Sequence, residues 1–320
     1  MNNKYLPHTL FFILLMLVVL TACEPGNGTP VSTASSPLLD ASLSESSIPN
    51  FDHIVVITFE NKEYKKVIGN LFMPTYNKYA RNYTLLTQFY AVTHPSLPNY
   101  IAMIGGDTFG ITENCKTCFI DAPSLPDLIE ASGRTWKTYQ EDMEDPCGLG
   151  NQDEGEYVQK HNPFVYFDPI RLDHERCTQS VVPIEEFQKD LEAGTLPNYT
   201  FITPNICNSA HDCNLYVTDA WLRGTLDQLI PALEKEGPNY LVVLNWDESR
   251  GDDNGACCGL PEAGGRIAVV LISPLVKDHF KDTTPYTHYS LLKTISKAWD
   301  LPYLGHAADD DNVLITAPWK

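Results

Sequence analysis

Residues 51–61 read FDHIVVITFEN and residues 239–249 read NYLVVLNWDES, and these two stretches decide the fold. Each contains a short run of Val, Ile, Leu and aromatic residues, which is typical of a central strand in a parallel sheet covered on both faces. Each run ends in a polar doublet, Glu60-Asn61 in the first and Asp247-Glu248 in the second. Because ligands bind at the carboxyl ends of strands in open α/β sheets, the doublets predict a functional site at that edge.

The two doublets together supply three carboxylates and one amide. Oxygen ligands of this kind suit a hard or borderline cation. Either doublet alone can also be interpreted as an ordinary helix cap. The presence of both favours a divalent metal site.

The rest of the chain alternates between strand and helix patterns. This alternation predicts a three-layer α/β fold, with a mainly parallel sheet and helices on both faces. The predicted strands are 53–59, 135–139, 199–203, 239–245 and 267–272. The predicted helices are 72–80, 97–104, 124–132, 184–192, 217–235 and 287–299. Polar residues follow every predicted strand except the last.

Residues 93–106, THPSLPNYIAMIGG, place a serine between two prolines ahead of an apolar run. This pattern predicts a tight turn into a helix, with Ser96 at the N-cap or just before it and Pro98 in the first turn. The amino end of a helix suits phosphate, and a hydroxyl there can attack phosphorus if a metal lowers its pKa. The alternative is a capping serine without chemistry.

Six segments of the chain together resemble a known family. They occur in the order VVITFENKEY, THPSLPNYIAMIGG, HNPFVYF, ITPNICNSAHD, NWDES and YTHYSLLKTI. They resemble the phosphoesterases that include bacterial acid phosphatases, phosphatidylinositol phosphatases and the larger phospholipases C. The resemblance covers roughly residues 50 to 305 and implies an alkaline-phosphatase-like fold.

The resemblance also implies a metal centre. It assigns one divalent metal ion, whose identity stays open, to Glu60, Asn61, Asp247 and Glu248, with Ser96 contacting the same ion. Ser96 is then the nucleophile and forms a phosphoserine intermediate.

His94 is the rival nucleophile, two residues before Ser96. It would form a phosphohistidine, which would weaken the case for a metal; otherwise we expect it to orient the loop or to contact phosphate.

Three further histidines lie in the matched segments. We expect His211 to protonate the leaving alkoxide and His161 and His288 to bind phosphate, although the sequence leaves these roles interchangeable.

Three polar residues are expected to assist. Asn205 and Asp212 would orient the histidines, and Asn99, three residues after Ser96 on the first helical turn, would reach the phosphate.

The beginning of the chain predicts export. Residues 1–22 have the form of a signal peptide, with Lys4 before an apolar run and Leu-Thr-Ala before Cys23. The small residues before Cys23 look like a lipobox, and the resemblance implies cleavage and lipidation there; a cleaved signal without lipid is the alternative. Residues 23–49, rich in Ser, Pro, Thr and Gly, predict a flexible tether to a single domain at 50–320.

Nine cysteines become eight once Cys23 is set aside for lipid. An even number outside the cytoplasm predicts disulfides. Spacing favours Cys207–Cys213, a small loop around His211, and a larger Cys147–Cys177 loop. The rival for Cys115 and Cys118 is zinc ligation, although no second pair stands near them.

The formal net charge of −19 excludes nucleic acid as a natural partner. We therefore expect an extracytoplasmic phosphomonoesterase, acid phosphatase-like and able to act on phosphoinositides. Its partners would be a phosphate monoester and, through the lipid anchor only, a membrane; no protein partner is predicted. The alternatives are a phospholipase C-type phosphodiesterase and a surface lipoprotein that binds phosphorylated ligands without turnover.

Overall fold

The computed structural model describes residues 48–150, 156–250, 253–261 and 263–320. The predicted signal peptide, Cys23 and the predicted tether up to residue 47 lie outside the described residues. Within the described ranges, no helix has the length and apolar character needed to cross a membrane.

One sheet of eight strands forms from the described residues, in the order β4-β3-β5-β1-β6-β7-β2-β8. The strands are β1 (His53–Phe59), β2 (Thr84–Tyr90), β3 (Trp136–Gln140), β4 (Val181–Pro183), β5 (Tyr199–Thr203), β6 (Tyr240–Trp246), β7 (Arg266–Ile272) and β8 (Phe280–Thr287). Neighbouring strands are parallel except that β7 runs antiparallel to both β6 and β2.

The helices are α1 (Tyr64–Val67), α2 (Pro74–Asn82), α3 (Ser96–Gly105), α4 (Leu125–Ala131), α5 (Asp168–Arg171), α6 (His174–Ser180), α7 (Ile184–Ala193), α8 (Leu215–Glu236) and α9 (His288–Ala298). Short 3-10 helices occupy Gln159–His161, Pro163–Tyr166 and Gly305–Ala308.

Helices cover both faces of the central strands. On one face, the Met103 sulfur of α3 accepts hydrogen bonds from Thr58 of β1 and Asn245 of β6. On the opposite face, the Phe59 ring of β1 packs against Trp221 of α8. Because successive strand residues point to opposite faces, the residues that follow Phe59 and Trp246 return to the α3 side of the sheet.

The predicted mainly parallel α/β fold is confirmed. All five predicted strands are present within one residue of their predicted bounds. All six predicted helices are present within two residues of theirs. The predicted strand without a polar doublet, 267–272, is β7, the antiparallel strand. Its carboxyl end therefore lies at the edge opposite the doublets, which explains why its sequence carries none.

Eight cysteines of the described residues form four disulfides. Cys147–Cys177 and Cys207–Cys213 pair as predicted. The other two bonds join Cys115 to Cys118 and Cys257 to Cys258. Because the first of these bonds consumes both thiols, zinc ligation by Cys115 and Cys118 is wrong for the oxidised chain.

Candidate active site

The two polar doublets meet at the carboxyl edge of the sheet. Strands β1 and β6 are neighbours in register, with Phe59 opposite Trp246, so the next residues, Glu60 and Asp247, are adjacent. Both carboxylates are fully buried. The backbone N–H of Asn61 donates to Asp247 Oδ1 at 2.9 Å, and its side-chain amide donates to Glu60 Oε2 at 3.3 Å.

The turn after β2 brings Ser96 to the same place. Ser96 is the first residue of α3, and Pro95 occupies the N-cap, one residue earlier than predicted. The buried Ser96 Oγ lies 3.1 Å from Glu60 Oε2 and 3.2 Å from Glu248 Oε1. The predicted nucleophile and the predicted metal ligands therefore form one cluster.

Asn99 organises the turn instead of facing a ligand. Its Oδ1 accepts from the backbone N–H groups of Val92 and Thr93 at 3.0 and 3.2 Å. Its Nδ2 donates to the carbonyls of Thr93 and Pro95 at 2.8 and 3.1 Å. The predicted contact between Asn99 and phosphate is not favoured, because these four bonds occupy the amide and the residue is fully buried.

Two glycines set the spacing between the serine turn and the second doublet. Gly264 and Gly265 precede β7 and hydrogen-bond to Ala91 on one side, while the Gly264 carbonyl accepts from Ser249 N at 2.8 Å. Gly265 has φ +79°, and a Cβ there would overlap Ser249, while one at Gly264 would overlap the carbonyl of Thr93. A side chain at either position would push the two parts of the site apart.

Tyr100 is a member of the site that the sequence analysis missed. Its hydroxyl donates to Glu60 Oε1 at 2.5 Å, and its ring stacks on His161 with centroids 5.3 Å apart. Tyr100 lies four residues after Ser96 on α3, so helical spacing puts both on one face. The four-residue spacing from Ser96 was the sequence signal that could have identified Tyr100.

The pKa values of the three carboxylates of the cluster shift in different directions. Burial raises the pKa of Glu60, but His161, with Nε2 at 3.2 Å, and the hydrogen bond from Tyr100 outweigh it and hold the pKa at about 2. Burial and the nearby carboxylates of Glu60 and Glu248 raise the pKa of Asp247 well above its ordinary value. Burial also raises the pKa of Glu248. The cluster thus resists carrying three negative charges without a compensating cation.

One buried carboxylate oxygen of the cluster has no hydrogen-bond partner. Asp247 Oδ2 is buried and has no hydrogen-bond partner, so an oxygen of the cluster is free to bind a cation. Among the described residues, no group of three or more His, Cys, Asp or Glu side chains is arranged as a metal site. The three predicted carboxylate ligands, Glu60, Asp247 and Glu248, do not form such a group by themselves, and the metal ion stays a prediction.

His94 is held against the second doublet. Its Nδ1 forms a short contact with Glu248 Oε2, and its Nε2 lies 3.3 Å from the carbonyl of Asp253. The hydrogen bond with Glu248 raises the pKa of His94. Since both ring nitrogens have partners, the geometry favours an orienting role over the rival role as nucleophile.

His161 lies next to Glu60, and its ring centroid is 5.9 Å from that of His211. Burial lowers the pKa of His161. Asp212 orients His211, whose Nδ1 lies 2.6 Å from Asp212 Oδ1. The Lys160 ammonium, which the sequence analysis also missed, donates to His211 Nε2 at 3.2 Å. Its position next to His161 in the sequence was the signal that could have identified Lys160 as a site residue.

In the structure, two predicted site residues form hydrogen bonds with backbone groups. His288 is fully buried, and its Nε2–H donates to the carbonyl of Asp247 at 2.6 Å. This hydrogen bond fixes the backbone of the second doublet. Asn205 donates to Asp142 Oδ2 at 2.7 Å and accepts from Asn208 N at 2.7 Å, so it shapes the loop before His211. The predicted phosphate contact of His288 and the orienting contact of Asn205 to a histidine are absent from this geometry.

Solved structures share this architecture. A protein of the alkaline phosphatase superfamily from Vibrio parahaemolyticus matches with a TM-score of 0.56 over 84% of this chain and 71% of its own, at 12% identity. A lipoteichoic acid synthase from Listeria monocytogenes gives 0.56 over 83% and 76%, at 11% identity. The fold is therefore alkaline-phosphatase-like, and the serine and the carboxylates lie at the carboxyl edge of its sheet.

The model of the Phosphoesterase family matches residues 71–302, and the chain belongs to this family. A phosphatidylinositol-3-phosphatase of Mycobacterium tuberculosis is 32% identical over 270 residues, which cover 83% of each chain. A phosphate-repressible acid phosphatase of Penicillium chrysogenum is 33% identical over 312 residues, which cover 91% of this chain and 72% of its own. The protein is a hydrolase of phosphate esters.

Proposed function

We propose that the chain is an extracytoplasmic phosphomonoesterase of the acid phosphatase type, with Ser96 as the nucleophile. The observation that carries the proposal is the position of Ser96 Oγ at the amino end of α3, 3.1 and 3.2 Å from two buried carboxylates. In the proposal, Glu60, Asn61, Asp247 and Glu248 hold a divalent metal ion next to it. When bound, the ion supplies positive charge that polarises a phosphoryl oxygen and lowers the pKa of the serine hydroxyl.

The proposed reaction has two steps. First, Ser96 Oγ bonds to phosphorus and the bond from phosphorus to the alcohol oxygen breaks. The serine proton passes to the carboxylate of Glu248, whose pKa is raised by burial, and the alcohol oxygen takes a proton from the imidazolium form of His211, whose Nε2–H then faces the substrate instead of Lys160. Second, a water oxygen bonds to phosphorus while His211 takes one of the water's protons, the bond to Ser96 Oγ breaks, and the serine recovers its proton from the carboxylate as hydrogen phosphate leaves.

The remaining residues position these groups. Tyr100 fixes Glu60 by its 2.5 Å hydrogen bond, and His94 fixes Glu248. In the proposal, the positive charge of Lys160, which lies beside His211, attracts the phosphate oxygens. Such local charge is needed because the chain carries a net charge of −19 and repels anions at long range.

The location is part of the proposal. Four disulfides favour an oxidising compartment. Lipidation at Cys23 would anchor the domain to the membrane. Labelling of cells with a tagged fatty acid tests it: label on the wild type and none on Cys23→Ser supports the anchor, and no label on either refutes it.

The catalytic proposal is tested on protein lacking residues 1–23. Wild type, Ser96→Ala and the exposed control Ser132→Ala are assayed on p-nitrophenyl phosphate and p-nitrophenyl phosphocholine, with and without chelator. We expect metal-dependent turnover of the monoester, about a thousandfold lower in Ser96→Ala and unchanged in the control. Turnover of the diester alone would favour the phospholipase C alternative. Tight phosphate binding with no turnover would favour the non-catalytic binding protein.

A further inference from the structure

An apolar cavity lies beside the candidate active site and is not used by the mechanism above. It has a volume of about 540 Å³ and is lined by Lys62, Phe72, Asn214, Leu215 and Tyr216. Its walls come from the segments that follow β1 and precede α2, and from the start of α8. These segments are remote in sequence, so the cavity is a product of the tertiary fold.

The rim of the cavity exposes large apolar side chains. Phe72 is 64% exposed and Tyr216 is 63% exposed, and Leu71, next to Phe72, is 92% exposed. Surface exposure of single apolar residues is common, but several around one cavity mark a binding surface.

Lys62 connects the cavity to the reacting groups. It follows Asn61 directly, and its charge lies within reach of the carboxylates of Asp247 and Glu60. Its Nζ donates to the carbonyl of Ala210 at 2.8 Å, immediately before His211. Lys62 therefore links the cavity both to the carboxylate cluster and to the segment that carries His211.

The end of α8 in the cavity is closed to anions. The Asn214 side chain accepts hydrogen bonds from the N–H groups of Tyr216 and Val217 at 3.0 and 3.3 Å. Since these donors are already satisfied, the free amino end of the helix does not recruit a second phosphate. The chemistry of the cavity suits an uncharged, apolar group next to the cation of Lys62.

We infer that this cavity is the subsite for the alcohol part of the substrate, and that it selects phosphate monoesters whose alcohol carries an aromatic ring or a similar apolar group. The inference rests on the proposed function, because it takes His211 as the acid that faces the alcohol. Phosphate is held by the carboxylate-centred site, and the apolar part of the same molecule lies against Phe72 and Tyr216.

The test compares two monoesters, 1-naphthyl phosphate and glycerol 2-phosphate, on wild type and on Phe72→Ala/Tyr216→Ala. We expect the double variant to lower the ratio of the two kcat/KM values about tenfold, as loss of a buried aromatic contact does. Its kcat/KM for glycerol 2-phosphate and its inhibition by inorganic phosphate should stay unchanged. Leu172→Ala is the matched control, because Leu172 is 67% exposed but does not line the cavity. A ratio within twofold of wild type would overturn the inference.

A binding measurement separates this inference from the proposed function. In the Ser96→Ala background, the double variant should weaken the affinity for 1-naphthyl phosphate about tenfold and leave that for inorganic phosphate unchanged. If wild type hydrolyses neither ester but this loss is seen, the subsite stands and the catalytic proposal fails. If the double variant slows only the turnover of phosphatidic acid in vesicles, the patch docks on a membrane surface and the subsite is refuted.

Discussion

Asp247→Asn is expected to stabilise the metal-free protein while it removes catalysis. The substitution keeps the shape of the side chain, and the amide oxygen can still accept from Asn61 N, as Oδ1 does now at 2.9 Å. It deletes one of three buried carboxylates and an oxygen that has no hydrogen-bond partner. A ligand of the proposed metal ion is lost, but so is a source of repulsion.

The size of the gain follows from the raised pKa of Asp247. A pair of carboxylates about 4 Å apart repels by roughly 4 kcal/mol at an effective dielectric constant of 20. Each unit by which burial raises the pKa lowers the free energy of unfolding at neutral pH by about 1.4 kcal/mol. After rearrangement of the amide, we expect a gain of about 1–3 kcal/mol, or roughly 3–10 °C in Tm for a domain of this size.

The sign of the pH dependence is also fixed. The pKa of Asp247 in the folded state lies above the ordinary value of 3.8. Asp247 therefore lowers the free energy of unfolding at neutral pH, and this effect disappears as the pH falls to 3.8. The gain in Asp247→Asn should therefore shrink in acid.

Thermal unfolding in chelator, followed by titration with divalent cations, measures both effects. Wild type should gain stability on cation addition and the variant should gain little. Asp282→Asn is the matched control, since Asp282 is buried but accepts hydrogen bonds from Thr284 N and the Tyr286 hydroxyl, and it should lose stability. A lower Tm for metal-free Asp247→Asn, or an undiminished response to cations, would refute the reasoning.

Three further outcomes are expected. Burial holds the pKa of His288 at about 4 instead of 6.5, so the stability present above pH 6.5 is lost as the pH falls towards 4. Urea unfolding should show wild type losing about 2 kcal/mol between pH 7 and pH 5 from this group, and an equal loss in His288→Gln would contradict it. Asn99→Ala should lower kcat about tenfold with little change in KM, because it frees the serine turn without touching the ligand site; a change in KM alone would argue for phosphate contact. Thiol titration of unfolded protein lacking residues 1–23 should find none before reduction and eight after it, and several free thiols before reduction would disprove the four disulfides.

The sequence predicts the central strands well because their signal is local. The apolar runs of β1 and β6 are uninterrupted, and a polar doublet marks where each ends. The run of β2 is broken by Thr87 and Gln88 at an irregular register, and β8 is an edge strand with alternating exposure and Pro285 within it. Hydrophobic patterns also carry no direction, so the reversal of β7 could not be predicted.

At the site, the sequence predicts which segments converge but not which atom each side chain contacts. Ser96 and the doublets meet as expected because strand ends and helix starts fix them. Asn99 and His288 lie in the right segments, but their contacts to the backbone depend on three-dimensional packing. Tyr100 had only helical spacing as a signal, and its partner Glu60 lies in another segment.

The reversed strand β7 fixes the distance between the serine turn and the second doublet, so changes elsewhere in the chain leave that distance unaltered. Ser96 follows β2 and Asp247 follows β6, and β7 lies between these strands with Gly264 and Gly265 at its start. Their separation is thus fixed by strand spacing, about 4.8 Å per step, and by the absence of two side chains. Loops that border the pocket can lengthen or change composition during evolution while the reacting atoms keep their positions. Substitutions in the loops that border the pocket can then change the substrate without moving the reacting atoms. Substitutions of Gly264 and Gly265 should be tolerated least.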